Sequence, residues 1–145
     1  MTFPKPTQGL VLCYSYLWRR EYLRGQDEGV KDRPCAVILV TTAEDGDEVV
    51  TVLPITHTPP SNPDHVVEIP SATKRRLGLD GERSWVVLTE ANRFVWPGPD
   101  LRPLRVGDAA SVAYGLLPYA LMDAIRLKFI ALLKVNRSSV VQRTE

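Results

Sequence analysis

Arg33 and Thr56 carry side chains of types that can hold a phosphate group. A guanidinium stays protonated and offers a planar fork of N–H donors that matches phosphate oxygens. A threonine hydroxyl can add a further hydrogen bond and orient the same group. The two residues are distant in sequence, so their joint use requires that the chain turn back on itself between them.

A β-hairpin is predicted to make that turn. Two β-rich runs, residues 35–41 and 49–55, flank the dipeptide Asp45-Gly46. Asp-Gly between such runs is the strongest short-range signal for a hairpin. A turn centred there sets residues whose numbers sum to about 91 opposite each other, so Cys35 is expected opposite Thr56. The open end of the hairpin then gathers five residues: Arg33, Pro34, Thr56, His57 and Thr58.

Short strands and turns are predicted for most of the remaining chain. Residues 9–16 have the β-branched and aromatic content of a strand, and residues 17–32 form a long loop whose first half favours a helical turn. A short helix is expected between Ser71, a fair N-cap, and Gly78, which suits the left-handed position after a helix. Further strands are expected at 65–69, 84–89 and 90–96.

The C-terminal part has the pattern of a longer amphipathic helix. Pro118 fits its first turn, and five apolar residues recur at helical spacing: Leu117, Leu121, Ile125, Phe129 and Leu132. Leu127, Ile130 and Leu133 widen the apolar arc, which fits either a homodimer contact or the edge of the core. The polar tail, residues 138–145, is expected to be frayed.

Length and composition fit a single domain spanning residues 1–145. With 145 residues, of which 44% are hydrophobic, the chain can bury one core and is too short for two ordinary domains. Its 18 Lys and Arg nearly balance 17 Asp and Glu, so any basic surface must be local. No run approaches the roughly 20 apolar residues that span a bilayer, and the N-terminus lacks a leader pattern. We therefore expect a cytoplasmic protein without a membrane partner.

No metal ion or cofactor is expected from the sequence. Cys13 and Cys35 lie in apolar, strand-like runs without a nearby ligand and are interpreted as buried thiols. His57 and His65 are the only histidines, and both are isolated from other ligands along the chain.

Four short motifs in order carry a resemblance to a known family. Gly9 opens the first strand, Arg33-Pro34 enters the second, Pro54-Ile55-Thr56 closes the third, and Thr89-Glu90-Ala91-Asn92-Arg93 follows a later strand. Together they resemble the MazF/PemK toxins of type II toxin-antitoxin systems, over a core of about residues 9–137. The resemblance implies an SH3-like small β-barrel with a C-terminal α-helix, a homodimer, and an antitoxin partner that blocks activity.

The activity that this resemblance implies is metal-independent cleavage of single-stranded RNA. The ribose 2′-hydroxyl attacks the adjacent phosphate and leaves a 2′,3′-cyclic phosphate and a 5′-hydroxyl. Since the substrate supplies the nucleophile, the protein has only to orient it and to stabilise charge on the phosphorane. We assign stabilisation to Arg33 and positioning to Thr56. The alternative is that Arg33 is simply solvated and that the Thr56 hydroxyl bonds to backbone.

Further residues are assigned to the RNA-binding surface, with plainer alternatives beside them: His57, Thr58, Glu90, Asn92 and Arg93. Glu90 and Arg93 fit a base-edge acceptor and a phosphate clamp, or an ion pair at the edge of the sheet. Lys74, Arg75 and Arg76 are interpreted as a solvated basic turn, with an RNA contact as the alternative. Five aromatic side chains either stack on unpaired bases or fill the core: Tyr14, Tyr16, Trp18, Phe94 and Trp96.

The sequence also departs from the family pattern. Residues 18–32 form a longer and more charged loop than the short, Gly-rich one common in the family, and His57 stands where a small hydroxyl residue is frequent. The RNA motif and RNA class therefore stay open. Two other functions fit the same fold, a toxin that binds DNA gyrase without catalysis and a catalytically silent RNA- or protein-binding barrel.

Overall fold

A curled β-sheet forms most of the structure. A computed structural model describes residues 2–27, 29 and 31–143, and in this part the chain is mainly antiparallel β-sheet with three α-helices. The strands are β1 Leu10–Tyr14, β2 Arg33–Thr42, β3 Glu48–Thr56, β4 Val66–Glu68, β5 Trp85–Val87, β6 Glu90–Val95, β7 Ala113–Leu116 and β8 Ser139–Gln142. The helices are α1 Arg19–Leu23, α2 Ser71–Leu77 and α3 Tyr119–Lys134. The predicted β fold with a C-terminal helix is confirmed, and β7 and β8 are additional strands.

The sheet divides at β3. Its main path runs β4-β5-β3-β2-β1-β7, while β6 pairs with β3 and with β8. Residues 49–52 of β3 pair with β6, and Ile55 and Thr56 pair with β5. Among the described residues the sheet does not close into a barrel. Because the end of β3 leaves β6 and joins β5, Thr56 lies where the two branches of the sheet separate.

Both faces of the central strands are buried, because side chains alternate across the sheet. On one face, Ala36 and Ile38 pack with Leu53 against α2 and α3. On the other, Cys35 and Val37 pack in a second cluster of aromatic and aliphatic residues. Cys35 and Cys13 are buried free thiols, as predicted.

The hairpin is confirmed, but its predicted register is wrong. Gly46 takes a positive φ of 90° in the turn, a conformation that suits glycine. Facing residue numbers sum to 90 beside the turn, one less than predicted, and a β-bulge between Val37 and Leu39 lowers the sum to 89. Cys35 therefore lies opposite Pro54 and not opposite Thr56. A bulge inserts an unpaired residue that no turn signal reveals. The shift nevertheless leaves the first residue of β2 and the last residue of β3 at the same end of the hairpin.

The predicted C-terminal end of α2 is right, but its predicted N-cap is wrong. Gly78 ends the helix with a φ of +73°, as expected. At the start, Pro70 occupies the capping position and no side chain caps the helix, so Ser71 is not the N-cap. Proline fits there because its missing N–H would have no partner within the helix.

Helix α3 follows the predicted pattern. Ile125 and Phe129 are buried against the sheet, and Leu121 and Leu132 are partly buried. Leu127 and Leu133 are exposed, so part of the wide apolar arc lies on the surface. No helix in the described part of the chain is long and apolar enough to cross a membrane.

The C-terminal tail is ordered as far as Arg143, contrary to the prediction that it frays, and residues 144 and 145 lie outside the described residues. β8 pairs in parallel with β6, from Glu90 opposite Ser139 to Arg93 opposite Gln142. Arg143 then enters the interior and is only 4% exposed. Its guanidinium donates to Ser15 O at 2.8 Å and forms an ion pair with Asp100 at 3.0 Å. The prediction of a frayed tail was wrong because Arg143 binds buried acceptors that come from distant parts of the chain.

Replacing Arg143 by alanine tests this anchor. Arg143→Ala removes the closer cationic partner of the buried Asp100 carboxylate and leaves only Arg102, at 3.9 Å, so we expect the free energy of unfolding to fall by about 3 kcal/mol. Arg137→Ala removes an exposed arginine nearby and should change it by no more than about 0.5 kcal/mol. Urea denaturation of both variants measures the difference. Equal effects of the two substitutions would show that Arg143 is not an anchor.

Candidate functional site

A cleft of about 880 Å³ opens at the end of the β2–β3 hairpin. One wall comes from the segment before α1 and from the start of β2, and the other from the end of β3 and the loop after α2. Four of the seven predicted site residues line it: Arg33, Thr56, His57 and Thr58. Tyr16 and Trp18 line it too, whereas Tyr14 and Phe94 are buried in the core.

Arg33 is held against an aromatic ring in this cleft. Its guanidinium carbon lies 4.8 Å from the centre of the Trp18 ring, and that of Arg20 lies 5.2 Å from it. Cation–π contacts of this kind contribute roughly 0.5–1 kcal/mol each. The Nε atom of Arg33 is buried and has no hydrogen-bond partner among the described residues. A buried donor without an acceptor is costly, and because Nε is buried, only the rest of the guanidinium can meet a ligand in the cleft.

Thr56 bonds to the backbone and still has a proton to donate. Its Oγ1 accepts a hydrogen bond from the N–H of Thr58 at 3.1 Å. This is the contact expected if the Thr56 hydroxyl only bonds to the backbone at the end of the strand. Because that bond uses an oxygen lone pair, the hydroxyl proton of Thr56 stays available to a ligand.

His57 is fixed from both sides of its ring. Nε2 lies 2.8 Å from Asp80 Oδ2 and 3.6 Å from Glu82 Oε2. Nδ1 lies 3.0 Å from the carbonyl oxygen of Arg83 and 3.1 Å from Ser84 Oγ. Both ring nitrogens are therefore engaged, and neither faces the open cleft as a free base. Among the described residues, His57, Asp80 and Glu82 form the one group with the spacing of metal ligands.

Lys74 is buried beneath this group, which corrects the prediction of a solvated basic turn. Its Nζ donates to Asp80 Oδ1 at 2.8 Å and to Ser84 Oγ at 2.7 Å, and also to the carbonyl oxygen of Glu82. The hydrogen bond from Lys74 lowers the pKa of the Asp80 carboxyl. Arg75 and Arg76 are exposed as predicted.

The sequence did contain a signal for the burial of Lys74. Thr73 and Leu77 are one helical turn apart and both are buried, and Lys74 lies on the same face of α2. Asp80 and Glu82 carried no such signal, because loop positions have no periodicity from which to infer a contact.

The structure does not bring Glu90, Asn92 and Arg93 into the cleft. Arg93 is exposed elsewhere on β6. Asn92 is fully buried, with Oδ1 accepting from Leu17 N at 2.9 Å and Nδ2 donating to Leu17 O at 2.8 Å. These two bonds fix the backbone just before Trp18, so Asn92 positions one wall of the cleft.

Glu90 supports the same wall from below. Its Oε1 accepts from the Tyr16 hydroxyl at 3.1 Å and from the backbone N–H of Arg19 at 2.9 Å. Burial raises the pKa of the Glu90 carboxyl, although these two hydrogen bonds oppose the rise.

Comparisons of the chain with family models, with curated proteins and with solved structures found no match. The resemblance to the MazF/PemK toxins therefore rests on the four sequence motifs alone.

Lys74→Met tests whether the buried ammonium holds the loop of residues 78–84. Methionine keeps an unbranched side chain that is one atom shorter, and it removes the ammonium that donates to Asp80 Oδ1, to Ser84 Oγ and to the carbonyl oxygen of Glu82. We expect the free energy of unfolding to fall by about 1–3 kcal/mol and hydrogen exchange in the loop to accelerate. Arg75→Met is the exposed control. Unchanged exchange in Lys74→Met would contradict this role.

Glu90→Gln tests the burial of the Glu90 carboxyl. A raised pKa means that the folded state binds the proton more tightly than the unfolded state, so the contribution of Glu90 to stability is lost as pH rises through its folded pKa. Glutamine stays neutral and keeps an oxygen for both hydrogen bonds. The melting temperature of the variant minus that of the wild type should therefore increase with pH. A difference that is constant or that falls with pH would refute the assignment.

Proposed function

We propose that this protein is the toxin component of a type II toxin-antitoxin system and cleaves single-stranded RNA without a metal ion. The observation that carries the proposal is the arrangement of Arg33 and Thr56. Both line one cleft, the guanidinium of Arg33 lies there against Trp18, and the Thr56 hydroxyl has a proton to donate. Those are the donors that a phosphodiester needs.

The chemistry requires no group beyond the RNA itself. The 2′-oxygen forms a bond to phosphorus, and the bond from phosphorus to the 5′-oxygen of the next nucleotide breaks. The proton lost by the 2′-hydroxyl is balanced by the proton gained at the 5′-oxygen, so no co-reactant is consumed. In this proposal Arg33 stabilises the charge on the phosphorane oxygens, and Thr56 holds the phosphate in line for attack.

The charge and the aromatic groups of the cleft favour unpaired RNA as the substrate. On the wall that carries Tyr16 and Trp18, three cationic side chains outnumber two carboxylates: Arg20, Lys31 and Arg33 against Glu21 and Asp32. Cations attract the phosphate backbone, and aromatic rings beside them stack on unpaired bases. A local basic wall of this kind is compatible with a chain whose net charge is only +1.

The finer parts of the assignment belong to the same proposal. They are the assignment of the curled sheet to the SH3-like barrel class, a cytoplasmic location, a cognate antitoxin that blocks the activity, and a homodimer. The exposed Leu127 and Leu133 on α3 are the apolar surface that we propose for the dimer.

Replacement of Leu127 and Leu133 together by Ser should turn a dimer into a monomer, as measured by light scattering.

Cleavage of a mixed RNA pool in excess EDTA tests the activity. We expect fragments with 2′,3′-cyclic phosphate and 5′-hydroxyl ends. Arg33→Ala should lower the rate by roughly 10²–10³-fold, as for other donors to a developing oxyanion. Thr56→Val should lower it by about tenfold, the value of one hydrogen bond, while Thr56→Ser should retain most of the activity.

Arg93→Ala is the matched control, because Arg93 is an exposed arginine outside the cleft. It should cut at the wild-type rate. Intact RNA with the wild type, or equal cutting by folded Arg33→Ala, would refute the proposal. RNA that is bound in the cleft but not cut would point to a binding module.

A further inference from the structure

We propose that His57, Asp80 and Glu82 bind a divalent transition-metal ion, Zn²⁺ in particular, at the rim of the cleft. The proposal concerns metal binding and is independent of the ribonuclease activity. It differs from the sequence-based expectation of no metal, which considered only ligands that are near one another along the chain. Here the loop after α2 brings two carboxylates to a histidine at the end of β3.

The distances between the donor atoms fit a metal. His57 Nε2 lies 2.8 Å from Asp80 Oδ2 and 3.6 Å from Glu82 Oε2, and all three ligand atoms lie within 4.8 Å of one another. Tetrahedral zinc ligands at about 2.0–2.1 Å from the ion are roughly 3.3 Å apart. The two measured distances bracket that value, so small side-chain rotations suffice to close the site.

The groups behind the donors are those that support a metal ligand. His57 Nδ1 lies 3.0 Å from the Arg83 carbonyl oxygen, which can only accept, so Nδ1 carries the proton that this bond requires. A ligating histidine commonly donates its second nitrogen to a backbone carbonyl in this way. Asp80 is oriented similarly, because Lys74 binds its Oδ1 and leaves Oδ2 directed at His57.

The charges around His57 also favour a cation. The carboxylate oxygens of Asp80 and Glu82 lie 2.8 Å and 3.6 Å from Nε2, and Lys74 forms an ion pair with Asp80 but not with Glu82. A hydrogen bond from Nε2 can satisfy the contact at 2.8 Å, whereas 3.6 Å is too long for one. A metal ion accepts all three donors, and the two carboxylate charges exceed the single charge of Lys74.

The donor set also selects the class of metal. One imidazole nitrogen with two carboxylate oxygens suits zinc and its neighbours in the first transition row better than Mg²⁺ or Ca²⁺, which prefer oxygen ligands. Three protein ligands leave a fourth position for water. The exposed fractions of the three side chains are 47%, 53% and 75%, so an ion can enter from solvent.

Calorimetric titration of the EDTA-treated and dialysed full chain with zinc sulfate tests the proposal. We expect one saturable site per chain, and more than about 100-fold weaker binding in His57→Ala, since loss of an outer partner alone costs 10–100-fold. Glu82→Gln should weaken binding too, and because its side chain is 75% exposed this variant should fold normally.

His65→Ala is the matched control. His65 is the other histidine of the cleft, but its Nε2 lies 3.3 Å from the amide nitrogen of Asn62 and not beside a carboxylate. This variant should bind zinc like the wild type. Absence of saturable binding, retention of tight binding in both His57→Ala and Glu82→Gln, or loss of it in His65→Ala would overturn the proposal. Since calorimetry requires no RNA, failure here leaves the ribonuclease proposal standing, and the converse also holds.

Discussion

The buried guanidinium of Arg143 is the interaction on which the rest of the cleft depends. Besides its ion pair with Asp100, it donates to Asn92 Oδ1 at 3.1 Å and to Ser15 O at 2.8 Å. Asn92 in turn fixes both backbone groups of Leu17. The segment that leaves β1 is thereby held where Trp18 meets Arg33. A charge this deep requires all of its partners, so the wall forms as one unit.

The opposite wall is also held by a buried cation, in this case a lysine. Lys74 reaches from α2 to the acceptors of the loop that follows, and Asp80 is thereby set against His57. One buried cation thus organises each side of the cleft. Arg33 lies on the first wall, and His57 lies on the second wall directly after Thr56.

Local patterns in the sequence predicted the hairpin at Asp45-Gly46 and helix α3, because turn residues and helical periodicity act over short distances. The hairpin in turn predicted that Arg33, Thr56 and His57 lie at one cleft. The bulge after Val37 could not be inferred, since it depends on packing of both sheet faces. The network around Arg143 and the pairing of His57 with Asp80 and Glu82 could not be inferred either, because each joins segments through tertiary contacts alone. Asn92 was predicted to bind RNA because of its place in a sequence motif, but in the structure it is buried and supports the cleft wall through Leu17.

The most direct test of the central claim uses an RNA oligonucleotide that the protein cuts at one mapped bond in EDTA, resynthesised with a single 2′-deoxyribose on the 5′ side of that bond. If the substrate supplies the nucleophile to a phosphate held by Arg33 and Thr56, the bond stays intact while the oligonucleotide still binds. Cleavage of the substituted bond at the original rate would show that water or a protein group attacks the phosphorus, and would contradict the account.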